Sequence, residues 1–315
     1  MHRLRFQPDE WMYHMVTTRC IQGQGLLNPL PSTNLLIAGC LAHALTKSAG
    51  AVRLHHYVFM SNHYHLIVSA LNQTALSSFM GHLNGCLGRE LAKRHGIQGH
   101  VWQRRYASHL LLDDESLKDA YRYLFANSVK EDLVEHPREW GGLHGYAQLC
   151  EGREVVGEWV DWTGLYRARR RALTRKTPTP EPQIEGFTHR VTLTVEPPDL
   201  WRGCTPDELR QRLMCWADEV ASAESKRRRA RGGQVLGMRR VLQEDIFKGR
   251  SIRPSPRPLC RAACPRLFAG FMDAYRCFAR RFREASSALR AEVARSLCSP
   301  IVTFPPGGVP LGGGG

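Results

Sequence analysis

Residues 55–69 read HHYVFMSNHYHLIVS. Two apolar, β-rich runs flank a Ser61-Asn62 turn, so the stretch reads as a hairpin. Four histidines lie inside it. His63 and His65 are separated only by Tyr64. Side chains two apart on a strand share a face, so both imidazoles project the same way and Tyr64 the other. Two neutral imidazoles fixed on one strand face make half a site for a divalent cation. His55 and His56, on the preceding strand, read as packing or hydrogen-bonding residues.

Working outward, the hairpin is the centre of a longer pattern. Tyr13–Cys20 reads as a strand. A helix follows from Asn34, with Ser32 or Thr33 as its cap and Leu36, Cys40, Leu41, Ala44 and Leu45 on one face. After the hairpin, Leu76–His95 is amphipathic, with Phe79, Leu83, Leu87 and Leu91 four apart. VWQRRYASHLLL, from Val101, reads as a fourth strand. A helix from Asp113 or Asp114 follows, with acidic residues in its first turn. The order β-α-β-β-α-β-α predicts an α+β fold: a ferredoxin-like split β-α-β antiparallel sheet with helices on one face.

The texture changes after Trp162. A basic run and a Pro/Thr stretch, residues 163–190, read as a linker between a first domain, 1–162, and a mainly helical, basic C-terminal module, 191–300. In that module Thr205, Pro206 and Glu208 open a helix with a capping box, and Leu209, Leu213, Trp216 and Val220 form its apolar face. A second helix carries Leu267, Phe271, Tyr275, Phe278 and Phe282 among arginines. Residues 301–315 read as a disordered Gly/Pro tail.

The chain has 315 residues and a net charge of +15, with a sequence pI near 9.7. A balance this basic points to a polyanion. No apolar run approaches the ~20 residues that span a bilayer, and the N-terminus has no signal-peptide core. Nucleic acid is therefore the expected partner rather than a membrane. Ten cysteines without a C-x-x-C pair read as reduced thiols in a cytoplasm.

Two histidines do not complete a metal site. Tyr123 and Asn127 stand at i and i+4 on one helix face. The Asn127 carbonyl suits a hard cation such as Mg²⁺ or Mn²⁺, which leaves Tyr123 one turn away to attack a phosphate. A phenol is a weak nucleophile at neutral pH, so positioning has to activate it. Trp102, Arg104 and Arg105 are candidates for stacking a base and gripping phosphates. Tyr121 reads as packing. The arginine clusters at 167–171 and 227–231 read as DNA-contacting.

These residues carry a resemblance. HHYVFMSNHYHLIV looks like the His-hydrophobic-His (HUH) signature of IS200-type single-tyrosine transposases. YLFANSVKEDLV resembles that family's Tyr-x-x-x-Asn-Pro-Val run, and VWQRRYASHLL is similar to a third segment between them. The REP-associated tyrosine transposases look nearest. The resemblance spans about residues 5–150, with its segments in the expected order. It implies metal-dependent cleavage and rejoining of single-stranded DNA near hairpins, through a covalent 5′-phosphotyrosine and a free 3′-OH. By motif position His63, His65 and Asn127 are the metal ligands and Tyr123 the nucleophile. It also implies a cytoplasmic, nucleoid-associated protein, and leaves monomer and homodimer both open.

Two positions depart from the family pattern. Met-Pro-Asn-His is here Met60-Ser61-Asn62-His63, and Asn-Pro is here Asn127-Ser128, which fixes the end of that helix less firmly. Two other functions stay in view. One is a non-catalytic or domesticated DNA- or RNA-binding protein that keeps the fold. The other is a relaxase or replication initiator. Relaxases place the tyrosine ahead of the histidines, and initiators favour a lysine on the tyrosine helix, for which Lys130 lies far along.

Overall fold

The computed structural model describes residues 4–174, 180–249 and 258–297. The expected 301–315 tail lies outside them. In chain order the elements are β1 (Met12–Arg19), α1 (Pro31–Lys47), β2 (Val52–Phe59), β3 (His63–Ala70), α2 (Gln73–His95), β4 (Ala107–Leu111), α3 (Asp114–Lys130), α4 (Tyr146–Leu149), β5 (Val155–Val160), α5 (Trp162–Leu173), β6 (Thr188–Leu193), α6 (Pro206–Ala230), α7 (Met238–Gln243), β7 (Cys260–Arg261) and α8 (Pro265–Leu297).

The sheet order is β2-β3-β1-β4-β7. Its first four strands are antiparallel to their neighbours, and β7 adds two residues parallel to β4. This is the ferredoxin-like arrangement, with β3 and β1 in the centre. Alternation then sorts the side chains. Val16, Tyr64, Leu66 and Val68 join α1 and α2 in one core. Met15, Ile67, Val58 and Leu111 join α3 and α6 in a second.

The sheet is thus covered on both faces rather than on one. The physical reason lies in α3, which has a wide apolar side: Leu117, Ala120, Tyr121, Leu124 and Phe125 are all buried. That side needs a partner, and β3 offers one through its odd-numbered residues. A helix from the C-terminal half, α6, then closes over α3, with Leu213, Trp216 and Ala217 buried between them. Residues on both sides of Trp162 accordingly share one compact unit, Gln7–Phe268.

Several local readings shift. The α1 helix starts at Pro31, and neither Ser32 nor Thr33 caps it. Thr33 lies inside the first turn, where its hydroxyl donates to Asn28 Oδ1 at 3.2 Å and accepts from Arg94 at 2.8 Å. Asn72 caps α2 three residues earlier than the spacing suggested. The fourth strand is confined to Ala107–Leu111, while Trp102 makes only an isolated bridge to Cys20. The caps at Asp113 and Thr205 form as expected.

The β5–β6 pair was half hidden in the sequence, because VVGEWV carries a glycine where a strand wants a side chain. The structure supplies the reason. A Cβ on Gly157 would lie 2.0 Å from the Gly39 nitrogen, and one on Gly39 would lie 2.0 Å from the Glu158 carbonyl oxygen. Helix and strand cross backbone to backbone, and neither side can give way. Gly157→Ala is expected to lift the β5–β6 pair from α1 and cost about 3 kcal/mol or more. Urea unfolding followed at Trp159 checks this, and an unchanged midpoint would remove the argument.

The arginine run at 227–231 is engaged in part within the chain. Arg228 is 2% exposed and pairs with Glu135 and, at 3.7 Å, with Asp132. Arg231 also pairs with Asp132 and Arg227 with Glu224. Arg228 and Arg231 thus fasten α6 to the segment that follows α3, while Arg227, paired only within α6, and Arg229 stay exposed. In the cluster at 167–171, Arg167, Arg170 and Arg171 stay exposed and Arg169 pairs with Glu181 at 2.9 Å.

Candidate active site

On β3 the period of two turns His63 and His65 to the face that α3 covers, as Ile67 shows by joining that core. The two rings lie 5.0 Å apart, edge to face. Across the ladder Arg19 opposes His63 and Thr17 opposes His65.

Each imidazole is held by its Nδ1. His63 Nδ1 lies 2.6 Å from Asn62 Oδ1, while Asn62 Nδ2 donates to the Gly23 carbonyl at 3.2 Å. The carbonyl fixes which way the amide points. The amide oxygen then fixes the proton on His63 Nδ1, and the lone pair is left on Nε2. His65 Nδ1 shares a 2.7 Å hydrogen bond with Thr17 Oγ1, and its Nε2 is buried without a hydrogen-bond partner. Burial pushes the His63 imidazole down to about 3 and His65 well below the usual histidine range. The Arg19 guanidinium adds to both. Both rings are therefore neutral near pH 7, as a ligand must be.

The other half of the site comes from α3. Asp113 caps it with Ser116 in a reciprocal box, and three turns later Tyr123 and Asn127 face the sheet. Tyr123 stands perpendicular to His65, ring centres 5.3 Å apart. Asn127 is 5% exposed. Its side chain meets the His63 ring, yet its Nδ2 is buried with no aligned partner. Ser128, in place of the family's proline, lets α3 run on to Lys130, with Glu131 as its C-cap.

Tyr123, Asn127 and His63 line one cavity of about 210 Å³, together with Arg19, Asn62, Glu131 and Lys248. Among the described residues no three His, Cys, Asp or Glu side chains gather to hold a metal ion, so the pair of histidines needs the Asn127 amide to complete a donor set. Two neutral imidazoles, one of them with a buried unpartnered nitrogen, beside the buried amide of Asn127, whose carbonyl oxygen is a hard donor, fit a divalent cation.

Arg19, Asn62, Glu131 and Lys248 of this cavity escaped the reading of the sequence. Glu131 follows Tyr123 and Asn127 at the same four-residue step, and that spacing could have found it. Asn62 could have been found from its place in the turn. Arg19 carries no such signal. Lys130 is nearer than its separation suggests: its Nζ lies 5.5 Å from the centre of the Tyr123 ring. Seven residues make almost two full turns, which returns the side chain to the same face. Because Asn62 orients His63, Asn62→Ala is expected to weaken Mn²⁺ binding about 10- to 100-fold, read by calorimetric titration.

The remaining candidates fall elsewhere. Trp102 packs against the opposite core, 5.9 Å from Tyr64, and its Nε1 donates to the Asn84 carbonyl at 2.8 Å. Arg104 and Arg105 beside it are exposed. Tyr121 is fully buried, donating its hydroxyl to the His55 carbonyl at 2.9 Å. A β-bulge between Leu54 and His56 turns both upstream histidines to the α3 side. There His55 bonds Ser69 Oγ and the Glu196 carbonyl, and His56 packs on Tyr121 and Phe125. His109 on β4 opposes Met15 and so faces the same side as His65.

Comparison with known proteins bears on this segment. The structure of "the REP associates tyrosine transposase bound to a REP hairpin" is similar over 47% of this chain and 85% of that one, at 16% identity and a TM-score of 0.36. A crystal structure of a transposase candidate from Deinococcus radiodurans R1 is similar over 39% of this chain and 95% of that one, at 19% identity and a TM-score of 0.28. No curated protein matches. The family described as "Transposase IS200 like" matches residues 41–127. That match takes in the stretch of chain that carries His63, His65, Tyr123 and Asn127, and it is to this family that the stretch is similar.

Proposed function

We propose that this protein cuts and rejoins single-stranded DNA at hairpins, with Tyr123 as the nucleophile. The observation that carries the reading is the convergence of His63, Tyr123 and Asn127 on one cavity, with the His65 ring against Tyr123. A protein that only bound DNA would have no use for that set.

In this reading His63, His65 and Asn127 hold a divalent cation, Mg²⁺ or Mn²⁺, which when bound polarises the phosphoryl oxygens and offsets the charge that builds on them. Arg19 and Lys248, both at the cavity, draw the phosphate in. The Tyr123 oxygen attacks phosphorus and loses its proton, and the bond to the 3′ oxygen breaks. That oxygen takes up a proton and leaves as a free 3′-OH, with the 5′ phosphate joined to Tyr123. Rejoining reverses these steps with the 3′-OH of another end, and the tyrosine oxygen departs. Lys130 sets a cation beside the ring from which that oxygen leaves. The exposed arginines Arg104, Arg105 and those of α5 are proposed to follow the flanking strand by phosphate contact, which orients DNA without reading its sequence. The same reading makes the protein cytoplasmic and nucleoid-associated.

The test is incubation with a hairpin-bearing single strand and Mn²⁺, resolved on a denaturing gel. A covalent protein–DNA band is expected, with a free 3′-OH on the other product. Tight binding with neither product would favour the non-catalytic reading instead.

A further inference from the structure

The cavity lined by Tyr123, Asn127 and His63 is acidic, in a chain whose net charge is +15. Glu131, Glu244 and Asp245 line it, against the cations Arg19 and Lys248. Glu131 caps α3 one turn beyond Asn127, and its N–H donates to the Asn127 carbonyl at 3.3 Å. Glu244 is the C-cap of α7. Asp245 follows it, and the carbonyl of the next residue, Ile246, accepts from the Gly25 N–H at 2.7 Å. That bond holds the acidic pair against the loop that follows β1. The Asp245 carboxylate accepts from the Phe247 N–H at 2.9 Å, which orients it without neutralising it. Among the described residues neither Glu131 nor Asp245 forms an ion pair, and neither does Arg19 or Lys248. Opposite charges thus share the cavity without cancelling in pairs.

A phosphodiester that enters meets this surplus of negative charge, and in a partly enclosed space the repulsion is screened less than at an open surface. His63, His65 and Asn127 bring no negative charge of their own, so a divalent cation held by them reverses the balance. We propose that the cavity takes up a DNA phosphate with full affinity only after the cation is in place, and that Glu131, Glu244 and Asp245 impose this order. The inference rests on the cation site of the reading above and not on its nucleophile. It makes metal and DNA binding cooperative, and linkage requires each to tighten the other by the same factor. A strand is thereby kept out of a site that lacks its cation.

The order is tested by fluorescence anisotropy on the Tyr123→Phe chain, with a labelled hairpin-bearing single strand in Mn²⁺ or in EDTA. Mn²⁺ is expected to tighten binding about 10-fold, and calorimetry should find Mn²⁺ bound more tightly by the same factor when the strand is present. Glu131→Gln with Asp245→Asn keeps the size of both side chains. In that variant the affinity in EDTA should rise towards the Mn²⁺ value, and the coupling should shrink below about 3-fold. Glu10→Gln with Glu185→Gln removes the same charge at exposed positions outside the cavity and should leave the coupling as it was. His63→Ala should lose the coupling, which separates this site from Mn²⁺ bound along the DNA itself. Equal affinity in Mn²⁺ and EDTA, or a coupling unchanged by the two amides, would overturn the proposal. Coupling without a covalent adduct in the parent chain would uphold the order and remove Tyr123 as the nucleophile, and an adduct without coupling would do the reverse.

Discussion

Tyr123→Phe is expected to abolish the covalent DNA adduct and lower strand cleavage by about 10⁴-fold or more, with hairpin binding retained. The substitution removes one oxygen. The ring stays against His65 and beside Lys130, so the site keeps its shape. This separates chemistry from folding, which larger substitutions cannot do. Tyr121→Phe is the matching control. It removes a hydroxyl bound to the His55 carbonyl and should lower stability while cleavage persists. If the adduct survived Tyr123→Phe and vanished with Tyr121→Phe, the assignment of the nucleophile would fall.

The second large effect is loss of the fold in mild acid. Burial holds His14 and His63 down to about 3, and His55, His109 and His144 down to about 4. His56 and His65 are also lowered by burial. The sign follows from proton counting. Below the ordinary histidine value of 6.5 the unfolded chain takes up protons that the folded chain refuses, so stability falls as pH falls. It is fully present above that value. A histidine moved from 6.5 to about 4 forfeits roughly 3 kcal/mol over that window. A domain has only about 5–15 kcal/mol in total, so two or three such groups are enough to unfold it. The near-UV circular dichroism should collapse cooperatively between pH 6.5 and 4. A signal that persisted at the lower end would show these imidazoles to be charged or solvated in the native state.

The histidine pair was legible in the sequence because a strand's period of two is an exact geometric rule, and Tyr123 with Asn127 because a helix repeats nearly every four residues. The caps at Asp113 and Thr205 were legible for a similar reason: their hydrogen bonds are local. What the sequence did not show depends on contacts between distant segments. Nothing in α3 by itself says which face of the sheet it will cover, yet that choice decides whether Tyr123 meets His65. A basic run looks alike whether it faces water or carboxylates, so Arg228 was read as a DNA contact until its pairing with Glu135 was seen. The bulge that brings His55 and His56 to one side breaks the alternation on which strand readings rest. Trp102 was an open choice between base platform and packing residue, and its indole proton goes to Asn84.

Tyr123 and Asn127 ride on a single helix whose start is pinned by Asp113, and this makes the gene unequally tolerant of insertions and deletions. One residue added between the cap and Tyr123 turns Tyr123 and Asn127 together by about 100° and carries both away from the sheet. The same addition after Lys130 leaves them in place and is absorbed by the segment that follows. Length variation among functional copies of this protein should therefore be absent from residues 113–127 and permitted just downstream.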